Sequence, residues 1–282
     1  MSDADAQRAE LAERWDRAAR GWGRRAERVR DWGMPVSALM IEQLALQSGQ
    51  RVLELAAGPG DTGFLAAELI APRGTLVSSD ASQAMLAVAR ERARALGIDN
   101  VEFKQLELEW IDLPTASVDA VLCRWGVMLA VDPSAALREM RRVLAPGGRL
   151  AAAVWSAPEE NPWATVPGRV LIDLGHSAPP DPNVPGPFAI PSEAQLRELL
   201  HEAGFVDVRI WPVDVVRRYA SVGEFLEETT ELSMMFADVY ERLTAEQQAE
   251  VERVLAERAA PFRAGDGSLG LPGRSLVAAA SA

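Results

Sequence analysis

The sequence is poor in the residues that most catalytic and attachment chemistry uses. Its one cysteine, Cys123, excludes an internal disulfide and cannot alone build a thiolate metal site. Two histidines, His176 and His201, fall short of a metal-ligand cluster even with that cysteine, so no metal is expected. No apolar run approaches the roughly 18 residues of a membrane span. The N-terminus opens with Asp3, Asp5 and Glu10 in place of a basic stretch and an apolar core, so nothing directs the chain elsewhere and the cytoplasm is the expected location. Lys104 is the only lysine among 29 basic residues, and 41 acidic residues leave a net charge of −12. Such a field repels phosphate backbones and anionic lipid, so neither nucleic acid nor membrane insertion is expected.

What is present reads as a folded α/β protein. With 48% hydrophobic and 25% charged residues the composition is that of a globular chain. At roughly 150 residues per domain, its 282 residues make a large domain with insertions or a core with a cap. Residues 4–30 are rich in Ala, Arg and Glu, with Trp15 and Trp22 seven apart on one helix face. The seven arginines from Arg14 to Arg30, with Glu13, Asp16 and Glu27 among them, read as a solvated face. A second helix is expected over 36–46.

From residue 51 short apolar runs alternate with amphipathic helices, the order that builds a parallel sheet through right-handed crossovers. Strands are expected at 51–55, 75–79, 101–105, 118–123 and 149–155, with helices at 62–71, 82–96 and 133–145. Pro146-Gly147-Gly148 ends the last of these. The rhythm then breaks into a helix over 161–174 and a Pro-rich connection over 178–191. Ser192 caps a helix over 193–203, Gly204 ends it, and a strand follows at 206–213. Helical sequence over 221–263 contains Met234, Met235 and Phe236, and a last strand is expected at 275–280. The implied division is an N-terminal arm (1–48), a binding core (49–156), an insertion (157–191), a core continuation (192–220), a helical lid (221–265) and a final strand (266–282).

The first strand runs into Gly58-Pro59-Gly60-Asp61-Thr62-Gly63, a literal G-x-G-x-x-G, and Asp80 stands 20 residues beyond Gly60 at the end of the second strand. That is a nucleotide cradle: glycines let the backbone approach a ligand and the carboxylate accepts ribose hydroxyls. Charge decides which nucleotide. A pyrophosphate needs bare N–H groups at the helix start, whereas Glu54 ends the strand and Asp61 opens the helix with no Lys or Arg in the loop. A ribose ligand bearing an ammonium and a sulfonium is favoured by Glu54, Asp80, Glu107 and Glu109. S-adenosylmethionine has that charge pattern. A nicotinamide reductase is disfavoured by Glu54 and by the absence of a Tyr-x-x-x-Lys pair at Lys104.

With these motifs in place the chain resembles the class I S-adenosylmethionine-dependent methyltransferases, close to the ubiquinone and menaquinone biosynthesis type. The resemblance rests on Val52-Leu53-Glu54-Leu55-Ala56-Ala57-Gly58-Pro59-Gly60, Asp80-Ala81-Ser82 with Met85-Leu86, Val118-Asp119-Ala120-Val121, and the stretch from Arg141 to Leu150. It covers residues 51–155 well and the flanks poorly. It implies a Rossmann-like seven-stranded sheet whose last strand is antiparallel and inserted beside the fifth, with helical lid insertions above the cofactor. It also implies that the loop from Glu54 through Ala56 and Gly58 to Gly60 cradles the methionine part, that Asp80 holds the ribose, and that Met85 or Ala81 covers the adenine. Glu107 stands where the family usually has an Asp for the adenine amino group, with Leu108 offering its amide, and Ala56 replaces the first glycine of the usual loop.

The expected partner is a small-molecule methyl acceptor, apolar or aromatic, methylated at oxygen or carbon by a monomer or homodimer. A cofactor-binding protein of this fold with a non-methylating or regulatory role is the alternative. No catalytic base stands out. His176 is either a base near the mouth or a loop residue, and His201 is an exposed helix flank. Tyr219, Tyr240, Glu159 and Glu160 gain no support from spacing. Arg124 and Trp125 follow the fourth strand directly, where the methyl group points in this family. Arg124 is assigned to the cofactor end, and Trp22, Trp125, Trp163, Met234 and Met235 to the acceptor wall. Trp15, Trp22, Trp155 and Trp163 are expected around one mouth, as acceptor walls or as lid core. Cys123, at the end of a buried strand, is expected to be a small hydrophobe.

Overall fold

The computed structural model describes residues 3–181 and 184–282. After a long helix, α1 (Asp3–Leu44), five parallel strands follow: β1 (Arg51–Glu54), β2 (Thr75–Asp80), β3 (Val101–Gln105), β4 (Val118–Arg124) and β5 (Leu144–Trp155). The sheet order is β3-β2-β1-β4-β5-β7-β6, where β7 (Leu269–Ser281) alone runs antiparallel and β6 (Val206–Tyr219) is the edge strand beside it. β7 pairs antiparallel with both β5 and β6, so the last strand lies beside the fifth. This is the expected Rossmann-like sheet with an inserted final strand.

The central strands are apolar on both faces because helices cover both. Val52 and Leu53 of β1 and Val121 and Leu122 of β4 are fully buried. The covering helices are α2 (Asp61–Ile70), α3 (Gln83–Leu96), α4 (Pro133–Val143) and α6 (Glu193–Glu202). Side-chain caps fix where they begin: Ser82 accepts from the Met85 N–H, Asp132 from that of Ala135, and Ser192 from that of Gln195. The strand-to-helix turns therefore open at the carboxyl ends of β1, β2 and β4.

Several flanking expectations change. The two N-terminal helices are one, because Pro35 does not break α1. A proline inside a helix costs about 3 kcal/mol, whereas Val36, Met40 and Leu44, just beyond it, bury in the main core at about 1.5–3 kcal/mol each. The arginine face of α1 is solvated at Arg17, Arg20 and Arg24 but is not solvated throughout. It zips onto α7 (Val222–Leu232), with Arg24 and Arg25 meeting Glu231, Arg25 also meeting Glu227, and Arg28 meeting Glu224 and Glu228. The acids that neutralise it lie 200 residues away, beyond the reach of a local charge pattern.

β6 and β7 are longer than expected. Trp155, the last residue of β5, pairs with Ser275, so the stretch from Leu269 to Arg274 and its partners from Asp214 to Tyr219 overhang the sheet as a two-stranded ribbon. This ribbon carries a second core. Val170 and Leu171 of α5 (Pro162–Asp173), Phe225 and Leu226 of α7, Phe236 of α8 (Met234–Tyr240), and Val251 and Leu255 of α9 (Ala245–Ala259) pack on Tyr219, Leu269 and Leu271. Among the described residues no helix is long and apolar enough to cross a membrane.

Candidate active site

A cleft with a cavity volume of about 130 Å³ lies above the carboxyl ends of β1, β2 and β4. Its floor is the loop after β1. Glu54 is fully buried there, its Oε1 accepting from the Gly63 N–H at 2.6 Å and its Oε2 from the Ser78 hydroxyl at 3.0 Å. A Cβ at Gly63 would overlap that carboxylate, so the third glycine of the loop makes room for Glu54, not for a ligand. Burial pushes the Glu54 carboxyl up to about 7, against the pull of those donors and of Arg124. Gly58 has φ 53° and open space where a Cβ would stand.

Asp80 ties two turns together. Its Oδ2 accepts from the Gly58 N–H and its Oδ1 from the Ser82 N–H, both at 2.9 Å. Burial raises its carboxyl above the usual range, those two donors opposing the shift. A carboxylate has about four acceptor positions, so two N–H partners leave room for ligand hydroxyls. Glu107, half-buried, is also raised, by desolvation and by Glu109 beside it.

Arg124 closes the far end. Its side chain is 8% exposed, and its Nη2 lies 3.4 Å from Asp61 Oδ2. Asp61 is shared, because its Oδ1 binds Arg92 at 2.7 Å. Trp125 follows with φ 60°, and Ala56 faces the same cleft with φ 49°. A left-handed residue with a side chain is strained by about 1–2 kcal/mol. Such strain gathers where geometry serves a ligand.

The cleft brings together Glu54, Ala56, Gly58, Asp80, Ala81, Met85, Glu107, Leu108, Arg124, Trp22 and Trp125. It does not include Gly60, whose left-handed backbone precedes α2 with the Phe64 ring against it. Met234 packs instead beside Trp15, Trp22 and Met85, and Met235 is 60% exposed on the far side of α8. His176 lies past the end of α5, its N–H bonded to the Leu171 carbonyl, and lines no part of the cleft. His201 is exposed on α6. Cys123 is buried, and desolvation pushes its thiol up to about 12, which makes it inert.

The tryptophans form two groups rather than one. Trp15 and Trp22 meet edge to face at 5.9 Å over Met85. Trp32, Trp125, Trp155 and Trp163 form a second cluster, with Trp125 stacked on Trp155 at 4.5 Å and on Trp32 at 5.2 Å. Ten helical residues separate Trp22 from Trp32, about 15 Å of axis, so one helix serves both. Trp163 therefore belongs behind the cleft wall, where it stacks on Arg217. The residues that sequence reasoning missed are Arg8, Leu11 and Ala12 on the cleft roof, Trp32, and Arg217. The spacing of residues 8, 11, 12, 15 and 22 marks the roof as a single helical stripe.

Comparison with known proteins follows the same lines. Residues 46–175 match the model of a methyltransferase domain family. The ubiquinone/menaquinone biosynthesis C-methyltransferase of Cellvibrio japonicus is 30% identical over 59% of this chain and 71% of its own length. Its Pasteurella multocida counterpart is 35% identical over 45% of this chain, which spans under half (47%) of that protein. Two solved structures share the fold. The YcgJ protein of Bacillus subtilis has a TM-score of 0.58 and 19% identity over 87% of this chain and 97% of its own. A phosphoethanolamine N-methyltransferase of Haemonchus contortus, solved with S-adenosylhomocysteine, has a TM-score of 0.54 and 16% identity over 87% of this chain and 52% of its own.

Proposed function

The chain belongs to the S-adenosylmethionine-dependent methyltransferases of the ubiquinone/menaquinone-biosynthesis-like type, and we propose that it methylates a small apolar or aromatic acceptor at carbon or oxygen. One observation carries the acceptor reading: a cleft over the strand ends, carboxylates on its floor, and tryptophan on its roof and end wall.

The donor set suits the cofactor. Glu54, Asp80, Glu107 and Glu109 line the cleft, an excess of carboxylate that attracts a sulfonium and an ammonium and repels a pyrophosphate. In our reading Glu54 and the turn through Ala56 and Gly58 hold the methionine end. Asp80 takes the ribose hydroxyls, and Ala81, Met85, Glu107 and Leu108 enclose the adenine. The bound cofactor supplies an electrophilic methyl group; the protein's part is alignment and dryness. Trp15 and Trp22 roof the cleft from α1, and Trp125, fixed by its Nε1 donating to the Ser275 hydroxyl at 3.0 Å, forms a rigid end wall. No histidine lines the cleft. An acceptor that is electron-rich at carbon, or that enters already ionised, needs no histidine base.

Relatives named for ubiquinone and menaquinone biosynthesis support an aromatic or quinol-like acceptor. The test is turnover: the protein is incubated with S-adenosylmethionine and a series of phenols and quinols, and S-adenosylhomocysteine is quantified by mass spectrometry. Product above the acceptor-free rate supports the reading. Binding of the cofactor with no product from any aromatic acceptor contradicts it.

A further inference from the structure

The roof of the cleft is tied to its floor through two residues that the cofactor chemistry has not used. Asp16 stands on α1 beside Trp15, one turn beyond Ala12, at the edge of the roofing stripe. Its Oδ1 accepts from the Ser82 hydroxyl at 2.5 Å and from the Ala84 N–H at 3.2 Å. Ser82 is the N-cap of α3, its hydroxyl oxygen accepting from the Met85 N–H at 3.0 Å, and its own N–H donates to Asp80 Oδ1 at 2.9 Å. A carboxylate of the roof thus reaches the carboxylate of the floor through one serine. The start of a helix suits it, because the N–H groups there lack helical partners and favour negative charge.

Arg8 at Glu109 and Arg17 at Asp238 also fasten this stretch of α1, and Trp15, Ala18 and Ala19 pack on Met85. Glu109 and Met85 line the cleft, so the roof rests on the walls of the space that it covers. From Arg24 onward α1 is held differently, by ion pairs to α7 and then by burial in the main core. Gly21 marks the boundary: a Cβ there would overlap the Glu231 carbonyl, so glycine lets α1 sit against the end of α7. With the roof down the cavity measures about 130 Å³. Pockets that bury a drug-sized ligand measure roughly 300–1,000 Å³. S-adenosylmethionine therefore requires the roof to lift and to settle again on the bound donor.

We infer that Asp16 is a positioning residue for the methyl donor, clasping the roof of α1 to the start of α3 so that closure and the grip of Asp80 on the ribose strengthen together. This deepens the methyltransferase reading and rests on the placement of the ribose at Asp80. Asp16 lines no part of the cleft, so it acts through Ser82 and not on the ligand.

The test is the kinetics of S-adenosylhomocysteine binding to the full chain, followed by rapid mixing and tryptophan fluorescence. Asp16→Ala should release the ligand at least tenfold faster, with association unchanged or faster, because an unclasped roof opens more often. Asp16→Asn keeps an oxygen that accepts both bonds and should stay within threefold of wild type. In a Ser82→Ala background, Asp16→Ala should add less than threefold, because the clasp is already broken from the other side. Glu13→Ala, exposed on the same stretch of helix, is the control and should change neither rate by more than twofold. Thermal unfolding confirms that each variant is folded. A smaller acceleration in Asp16→Ala, an Asp16→Asn variant beyond threefold, or an undiminished effect in the Ser82→Ala background overturns the inference. So does an affinity loss that arises from slower association, which would make Asp16 a prop for the folded site and not a clasp. Failure of the wild type to bind S-adenosylhomocysteine at all strikes the underlying reading of the cleft instead.

Discussion

The half of the molecule around β1, β2 and β4 and the half hung on the β6–β7 overhang are built on different principles. The first is local. Glu54, Gly58, Gly63 and Asp80 lie within 27 residues of each other, and their hydrogen bonds join adjacent turns. The second is assembled at long range: Arg28 of α1 meets Glu228 of α7, and Arg217 of β6 slots between Trp32 of α1 and Trp163 of α5. The cleft floor can therefore be written as a motif, while the tryptophan cluster behind it depends on segments far apart in the chain. Changes in the second half should alter the stability of the second core without dismantling the first.

The largest effect should come from cutting the tie between α1 and α7. Glu228 is 1% exposed and paired with Arg28. Removing one partner of a buried pair costs about 3 kcal/mol or more. Arg28→Ala should melt the second core before the sheet, giving two calorimetric transitions. One unshifted transition would show that the two halves are a single cooperative unit.

Glu54 probes the first half with an effect of similar size. Its carboxyl is raised from 4.5 to about 7. Between those values the folded chain holds a proton that the unfolded chain has released. The contribution of this group is thus full below about pH 4.5 and lost as pH rises through 7, by about 3 kcal/mol. In Glu54→Gln, chemical denaturation should show a stability advantage over wild type that grows from pH 5 to pH 8, together with weaker S-adenosylmethionine binding. An advantage that does not change with pH would contradict the burial argument.

A smaller loss is expected at Asp80. Asp80→Ala removes hydrogen bonds from a charged acceptor and should weaken S-adenosylhomocysteine by about 1.5–3 kcal/mol in calorimetry, leaving the sheet intact. Unchanged affinity would remove Asp80 from the ligand's partners. Smallest is Ala56→Gly, which relieves a left-handed alanine and should raise stability by about 1 kcal/mol. A destabilised variant would mean that packing, not backbone strain, governs this turn.

The same contrast explains what could be read in advance. The parallel strands and the cleft floor were legible because strand, glycine turn and acid follow at fixed spacing from residue 51 to residue 80, while the inserted last strand followed from the family resemblance alone. The second core was not legible. Ending β6 at residue 213 hid the alternation Val215, Arg217, Tyr219, which places a guanidinium on a buried face. Reading the arginines of α1 as a solvated face holds for Arg17 and Arg20 but missed the acids some 200 residues away that meet Arg24, Arg25 and Arg28. Met234 and Met235 are adjacent, yet one packs on Trp22 and the other faces solvent, a distinction that only helix phase decides.

Hydrogen exchange with and without saturating S-adenosylhomocysteine tests the division most directly. The account predicts slower exchange in the turn at residues 55–60, at residues 80–85 and in the roofing stretch of α1 from Arg8 to Trp22, while α9 exchanges at its free rate. Protection confined to α7–α9, or none in the turn and roof under calorimetrically confirmed saturation, would contradict it.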